Sequence, residues 1–172
     1  MEIIFRDILK QWTGCWQGAV IAGILFMVVG RQTMDHIFSQ HKVFGILFFA
    51  DGVYLYDLLF ATLLSRMIGS RREVEFMPFI GDEILRGDYH YLIENFLFFI
   101  PFGCLLCETL YVYGKKCNLK IILLASFLTS VSVELLQYLF SCGKSETEDV
   151  IANVLGAVLG YLVIRMKRIR TE

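Results

Sequence analysis

Apolar residues gather along this chain in five long stretches separated by polar segments. The stretches are Gly14 to Gly30, Phe44 to Leu64, Tyr91 to Tyr111, Leu119 to Phe140 and Val150 to Met166. A helix needs about 20 mostly apolar residues to cross a bilayer, and each stretch approaches that length. The pattern predicts an all-α fold, a polytopic membrane bundle of about five transmembrane helices, in which residues 1–172 form a single membrane domain.

The segment before the first stretch has the pattern of an amphipathic helix. Ile4, Ile8 and Trp12 recur at helical spacing, with charged residues on the opposite side. This pattern suits a helix that lies in the membrane interface, and it equally fits an upstream extension of the first span. The charged start and the absence of a small-residue cleavage site argue against a signal peptide.

Two aspartates, Asp51 and Asp57, interrupt the second stretch. An aspartate at the centre of a spanning helix costs about 3 kcal/mol, so each should face a partner or water. Two starting points for this second span are compatible with the sequence. Either the span includes both carboxylates, or it begins near Asp51 and the preceding FGILFFA lies in the interface.

Composition narrows the function classes. The chain has 172 residues, of which 56% are hydrophobic, and a net charge of -1. This apolar share is too high for an ordinary soluble domain, and no basic surface for nucleic acid is indicated. The five cysteines form no pair of CxxC units, so neither a disulfide framework nor a zinc site is predicted, and Cys104 and Cys107 are interpreted as small helix residues. No phosphate-binding loop is present, and we expect no metal and no cofactor.

Lysine and arginine residues near the helix ends predict the orientation. With five spans, the loop holding Lys115 and Lys116 shares one side with the basic tail at 165–170, which predicts a cytoplasmic tail. The outer side then carries the loops at 65–90 and 141–148. The loop at 65–90 contains four arginines, Arg66, Arg71, Arg72 and Arg86. Positive charge on an outer loop opposes this orientation unless these arginines bind an anionic ligand.

Polar side chains gather at the ends of the last three spans on that outer side. They lie in the first turns of the third span (Asn95), the last turns of the fourth (Glu134 and Gln137) and the first turns of the fifth (Asp149 and Asn153). Because successive spans alternate in direction, all of these ends reach the same membrane face. An intramembrane carboxylate predicts a functional site.

Two further features should support this cluster. Gly156 and Gly160 continue the polar stripe along the fifth span and allow a neighbouring helix to approach it closely. Pro101 removes a backbone donor from the third span and should bend that helix near the cluster. The segment around Pro78 is apolar but too short to span, so we expect it to be interfacial or re-entrant beside the cluster.

A purely structural interpretation of the cluster is also open. Glu148 and Asp149 could complement the dipole at the start of the fifth helix, with Thr147 or Ser145 as the N-cap. The amides could be hydrogen-bond partners between helices, typically worth under about 1 kcal/mol each. This interpretation leaves Glu134, inside an apolar helix, without a purpose.

Several short motifs resemble the VanZ-like family of bacterial membrane proteins. In chain order they are TLLSR, FMPF, ENFLFFIPFG, SVSVELLQ and SETEDVIANVLGAVLGY, and the resemblance is strongest over 62–165. Their order and spacing are jointly specific. Where the family commonly has two aspartates at the start of the last helix, this chain has Glu148 and Asp149.

The resemblance implies a multi-pass protein of the bacterial plasma membrane with a role in the cell envelope. The family's founding member is associated with resistance to teicoplanin, a lipoglycopeptide that binds lipid-linked cell-wall precursors. Two function classes stay open. One is a non-catalytic protein that binds membrane lipids or such a precursor, with binding residues at the polar cluster and in the arginine loop: Asn95, Gln137, Glu148, Asn153, Arg66 and Arg72. The other is a small intramembrane enzyme acting on lipid-linked phosphate or ester groups, with Glu134 and Asp149 as acid and base or as cation ligands.

Overall fold

The computed structural model of the chain describes residues 2–33, 43–64, 69, 71–75 and 89–170, with backbone alone at 2–15, 33, 43, 64, 71–75 and 143–145. This part of the chain contains five α-helices, which are α1 (Glu2–Thr33), α2 (Val43–Leu59), α3 (His90–Val112), α4 (Leu119–Phe140) and α5 (Thr147–Ile169). A π-helical turn, Phe60–Leu64, continues α2. Four helices are long and apolar enough to cross a membrane, namely Phe44–Leu63 and the whole of α3, α4 and α5. The predicted all-α membrane bundle is confirmed.

Helix α1 is continuous from Glu2 to Thr33 and contains the predicted first span. Of the two alternatives for the start of the chain, the structure has the upstream extension, because no proline interrupts the helical pattern. Helix α1 packs along α2 through small residues, since a side chain at Gly52 would meet the backbone of Ala22 and Gly23. These two helices form a closely packed pair.

Helix α2 begins at Val43, and the alternative of a span starting near Asp51 stays a prediction. The stretch FGILFFA is helical and lies inside the candidate span Phe44–Leu63. Asp51 has a partner, as expected for an intramembrane carboxylate, because the Thr109 hydroxyl donates to its Oδ2 at 2.9 Å. A cross-helix hydrogen bond therefore accompanies this charge within the span.

The outer surface of the bundle is apolar. Large side chains that are more than half exposed include Ile21 on α1, Leu124 and Leu128 on α4, and Leu155 on α5. A soluble protein rarely exposes so many such groups in contiguous patches, whereas a bilayer accommodates them. The buried core lies between the helices instead, around Phe99, Cys107, Ile122, Ala157 and Tyr161.

The closest helix packing joins α3 to α5. A side chain at Gly156 would overlap the carbonyl oxygen of Phe96, and one at Gly160 would overlap that of Ile100. Gly103 of α3 lies as tightly against Ala157. Small residues at these positions let the two backbones touch, as the glycine pair in the sequence predicts. The Cys104 thiol also donates to the Gly160 carbonyl at 3.5 Å.

A short parallel ribbon joins two connections of the bundle. Strand β1 (Arg71–Glu75) pairs with β2 (Cys142–Glu146), with Arg71 opposite Cys142 and Glu75 opposite Glu146. The Gly69 N–H extends the attachment by donating to the Phe140 carbonyl at 3.2 Å. The hydrophobic pattern did not predict these strands, because charged residues dominate β1. The ribbon ties the segment that follows α2 to the turn between α4 and α5.

A disulfide links Cys107 near the end of α3 to Cys117 just before α4, with their Cα atoms 5.4 Å apart. The prediction of no disulfide is therefore wrong, and so is the interpretation of Cys107 as only a small helix residue. The 10-residue separation gives no sequence signal, because the turn at 113–118 brings the two residues back together. Cys104 and Cys142 are free thiols. The segment around Pro78 lies outside the described residues.

The disulfide predicts how many cysteines react with a thiol label before and after reduction. Maleimide labelling of the denatured, unreduced protein should leave Cys107 and Cys117 unmodified, so reduction should add two labels per chain, counted by intact mass. The Cys107→Ser, Cys117→Ser double variant is the control and should gain no labels from reduction at this pair. Equal label counts before and after reduction of the wild type would contradict the disulfide.

Candidate functional site

A polar cavity of about 80 Å³ lies where the ends of α2, α3, α4 and α5 meet. Five of the residues predicted as a site line it: Asn95, Glu134, Gln137, Asp149 and Asn153. We call this the polar cavity, and this end of the bundle the polar end. The volume suffices for a few water molecules or one small polar group.

The backbone course explains why these side chains meet. Helices α4 and α5 are joined only by Ser141 and β2, so they run antiparallel and the end of α4 lies beside the start of α5. Ser141 takes the left-handed conformation, with φ of 52°, that ends α4 and reverses the chain. The glycine contacts of α5 then hold the first turns of α3 against the same end.

Glu134 contacts the start of α5. Its Oε2 accepts the backbone N–H of Glu146, the N-cap residue, at 3.2 Å. The first backbone N–H groups of a helix lack partners within the helix and favour negative charge. The expectation that Thr147 or Ser145 caps this helix is wrong, because Glu146 occupies the N-cap without a side-chain hydrogen bond.

Gln137 links α4 to the π-helical turn after α2. Its buried side chain donates from Nε2 to the Thr62 carbonyl at 3.2 Å. A π-turn shifts the backbone hydrogen bonding of a helix locally and is frequent at functional sites. The Thr62 hydroxyl donates back to the Leu58 carbonyl at 2.7 Å, within its own helix. The bond from Gln137 to Thr62 places the end of α2 against the polar cavity.

Asn153 is the most enclosed amide of the site, with 3% of its surface exposed. Its Nδ2 donates to the Ser130 hydroxyl at 2.8 Å, and Ser130 is fully buried. The other end of the amide, Oδ1, is buried and accepts no hydrogen bond from the described residues. A buried acceptor without a partner is costly, so this oxygen needs a donor from water or from a ligand in the cavity.

The charged side chains among the described residues that line the cavity are all acidic. Glu94, Glu134 and Asp149 line it, and its described lining includes no lysine or arginine. Glu148 is buried in the first turn of α5 but does not line the cavity. Within the described residues, no group of three histidine, cysteine or acidic side chains is placed to hold a metal ion. Such a lining favours ligand groups that donate hydrogen bonds, such as hydroxyl, amide N–H or ammonium groups.

The two arginines predicted for the site cannot be assigned to it. Arg66 lies outside the described residues. The backbone of Arg72 lies in β1 opposite Gly143, at the polar end, and its side chain is outside the described part. The ribbon therefore brings the backbone of Arg71 and Arg72 to the polar end of the bundle.

Three polar lining residues were missed by sequence reasoning: Thr62, Tyr91 and Glu94. Tyr91, Asn95 and Phe98 recur at i, i+4 and i+7 on α3 and all line the cavity. Extending the helical spacing from Asn95 would have found Tyr91, and Glu94 adjoins it. Thr62 contributes through its backbone carbonyl, which a side-chain pattern does not report.

A comparison with known protein families decides the classification. The family model described as VanZ/LLP1 matches residues 19–168. The chain belongs to the VanZ/LLP1 family. It is 30% identical over 98 residues to Protein VanZ of Enterococcus faecium, which is 57% of this chain and 56% of that protein. The chain thus matches just over half the length of this curated relative. No solved structure matches the chain.

Every residue that lines the polar cavity falls inside the VanZ/LLP1 match. Family membership and four candidate spans make the chain a multi-pass protein of the bacterial plasma membrane, as predicted. The basic residues at the opposite end predict that end to be cytoplasmic, whereas the disulfide at the same end is typical of an oxidising compartment.

Labelling of introduced cysteines separates the two orientations. If the polar end is outside, Ser145→Cys should react with an impermeant maleimide on intact cells and Thr171→Cys should react only after permeabilisation. The reason is that residue 145 precedes α5 and residue 171 follows it, and α5 is a candidate span. The background should lack Cys15 as well as the free thiols Cys104 and Cys142. The reverse pattern would refute the predicted orientation and would place the disulfide outside.

The Asn153 contact predicts a difference between two serines of α4. Ser130→Ala should lower stability by roughly 1–3 kcal/mol, because it leaves the buried Asn153 amide without a partner. Ser132→Ala is the matched control, since that hydroxyl is exposed and donates at 2.7 Å to the Leu128 carbonyl of its own helix. Thermal unfolding in detergent measures both, and equal midpoints for the two variants would contradict the described contact.

Proposed function

We propose that this protein binds the headgroup of a lipid-linked envelope component at the polar cavity and thereby limits the action of teicoplanin-type lipoglycopeptides. The observation that carries this proposal is the convergence of three carboxylates and three amides from α3, α4 and α5 on one cavity at a membrane face. A carboxylate within a membrane is expensive, so several in one place indicate a polar environment that a lipid headgroup could share.

The composition of the cavity selects the part of the ligand that enters. Carboxylate and amide oxygens accept hydrogen bonds, and Asn153 Oδ1 is a buried acceptor without a described partner. Sugar hydroxyls, peptide N–H groups and ammonium groups supply the matching donors. A bare phosphate would face three carboxylates, so a phosphate would need the arginine segment at 66–72 instead. Lipid-linked cell-wall precursors carry both phosphate groups and hydrogen-bond donors.

Family membership supports a role in the cell envelope. The relative from Enterococcus faecium carries the name Protein VanZ, and the VanZ-like resemblance connects the family with teicoplanin. Binding a lipid-linked precursor next to the membrane would reduce the amount that such a drug can reach. The proposal needs no chemical step.

A catalytic alternative rests on one specific observation. Glu134 and Asp149 line the same cavity, as an acid and base pair would. Glu134, however, already accepts a backbone N–H of Glu146. That contact gives Glu134 a role in holding the start of α5, which favours a binding site. Turnover of a lipid-linked phosphate or ester by the purified protein, lost in Glu134→Gln, would establish the catalytic alternative in its place.

Two isosteric substitutions test the proposal. Glu134→Gln and Asp149→Asn keep side-chain shape and remove one charge each, so they should weaken ligand binding while the protein still reaches the membrane. Expressed in a teicoplanin-sensitive bacterium, both should lose the rise in the minimum inhibitory concentration that the wild type produces. Membrane protein levels should stay within about twofold, since an amide still satisfies hydrogen bonds between helices.

The matched control is Glu108→Gln, which makes the same change at the opposite end of the bundle. Glu108 pairs with Arg168 at 2.8 Å, and a glutamine there retains an acceptor oxygen for the guanidinium. It should protect as well as the wild type. Unchanged protection by Glu134→Gln and Asp149→Asn at normal protein levels would refute the proposed site.

A further inference from the structure

A second cavity, of about 280 Å³, lies between α1, α2 and α3. Its walls are aromatic and aliphatic, with rings contributed by Phe26, Phe48, Tyr54, Phe102 and Tyr113. Its polar lining side chains besides the tyrosines are Asp51 and Thr109. We call this the aromatic pocket. Along α3, Thr109 is 14 residues beyond Asn95, which corresponds to about 21 Å, so the pocket is separate from the polar cavity.

The Asp51 carboxylate is held in place in this pocket. Its Oδ2 accepts the Thr109 hydroxyl at 2.9 Å, a bond that joins α2 to α3. Its second oxygen accepts no hydrogen bond from the described residues, and no described lysine, arginine or histidine lines the pocket. A carboxylate two turns into a spanning helix, with one neutral partner, is costly in its charged form, and a cation in the pocket would stabilise that form.

The aromatic rings on both sides of Asp51 are fixed by mutual packing. Phe48 contacts Tyr113 edge to face at 6.5 Å and Phe26 at 6.0 Å, measured between ring centroids. On the other side, Tyr54 packs against Phe102 at 6.3 Å, and its hydroxyl donates to the Phe98 carbonyl at 3.3 Å. The faces of aromatic rings attract cations, and five rings line this pocket beside the carboxylate.

Tyr113 marks the end of the pocket beyond α3. Burial raises the pKa of its hydroxyl, and the negative charge of Asp51 raises it further. The phenol therefore keeps its proton at neutral pH and adds no competing negative charge.

We propose that the aromatic pocket binds an ammonium group carried on an apolar chain, with Asp51 as its counter-ion. The charge is complementary, the rings supply cation–π contacts, and exposed Leu55 forms a rim along which an alkyl chain would pass into the bilayer. A neutral chain would give Asp51 no counterpart. A divalent cation would lack ligands, since it takes six or more oxygens and the pocket offers one carboxylate and few hydroxyls. This site is independent of the function proposed for the polar cavity.

The test uses the full-length protein in nanodiscs of phosphatidylglycerol, a lipid without an ammonium group. Dodecylammonium and dodecanol are added at equal mole fractions, and the unfolding midpoint is followed, because a ligand of the folded state raises it. Dodecylammonium should raise the midpoint and dodecanol should not. A dodecylammonium probe with a diazirine in its chain should crosslink to residues of the aromatic pocket.

Asp51→Asn keeps the shape of the side chain and an acceptor for Thr109, and it should weaken dodecylammonium binding by on the order of tenfold or more. Asp57→Asn is the matched control, because Asp57 lies on the same helix and does not line the pocket. It should bind like the wild type. Equal responses of the wild type to the ammonium and the alcohol would overturn the proposal even if Asp51→Asn failed to fold, and so would unchanged ammonium binding by a folded Asp51→Asn.

Discussion

The contact between the α3 and α5 backbones is the constraint on which the rest of the structure depends. Gly156 and Gly160 lie against the carbonyl oxygens of α3, and Gly103 lies against Ala157, so neither helix can shift without collision. In a bilayer, helices gain little from burying apolar surface and associate through close packing and polar contacts. This contact sets the relative height of Asn95 on α3 and Asn153 on α5, which line the same cavity. The polar cavity therefore depends on three glycines, Gly103, Gly156 and Gly160, which have no side chain.

Close packing also explains how the polar end tolerates its carboxylates. The turn at Ser141 and β2 returns the chain so that α5 begins beside the end of α4. The backbone N–H groups at the start of α5 then face Glu134, which accepts one of them from Glu146. Each helix start leaves several such donors without intrahelical partners. The structural interpretation and the functional one are thus compatible, because Glu134 stabilises a helix start and lines the cavity.

The sequence predicted the helices well and the local connections poorly. The bounds of α4, Leu119 to Phe140, were predicted correctly, because Asn118 caps its start and an uninterrupted apolar run follows. Alternation of spans was enough to place Asn95, Glu134 and Asp149 at one end, and the structure puts them around one cavity. Their function stays a prediction. The disulfide, the parallel ribbon and the Glu146 N–H depend on how the chain turns between helices, and hydrophobic periodicity does not report turns.

The two cavities differ because they lie at different depths along the same helices. At the polar end, helix starts and the π-turn leave backbone groups available, and Glu134 and Gln137 both bond to backbone atoms. Asp51 lies within α2, where the neighbouring backbone groups are already bonded inside helices, so its partner must be a side chain, the Thr109 hydroxyl. A hydroxyl carries no charge and leaves the carboxylate uncompensated. The interior of a spanning helix therefore favours a charged ligand for Asp51, whereas a helix start offers a backbone N–H to a carboxylate such as Glu134.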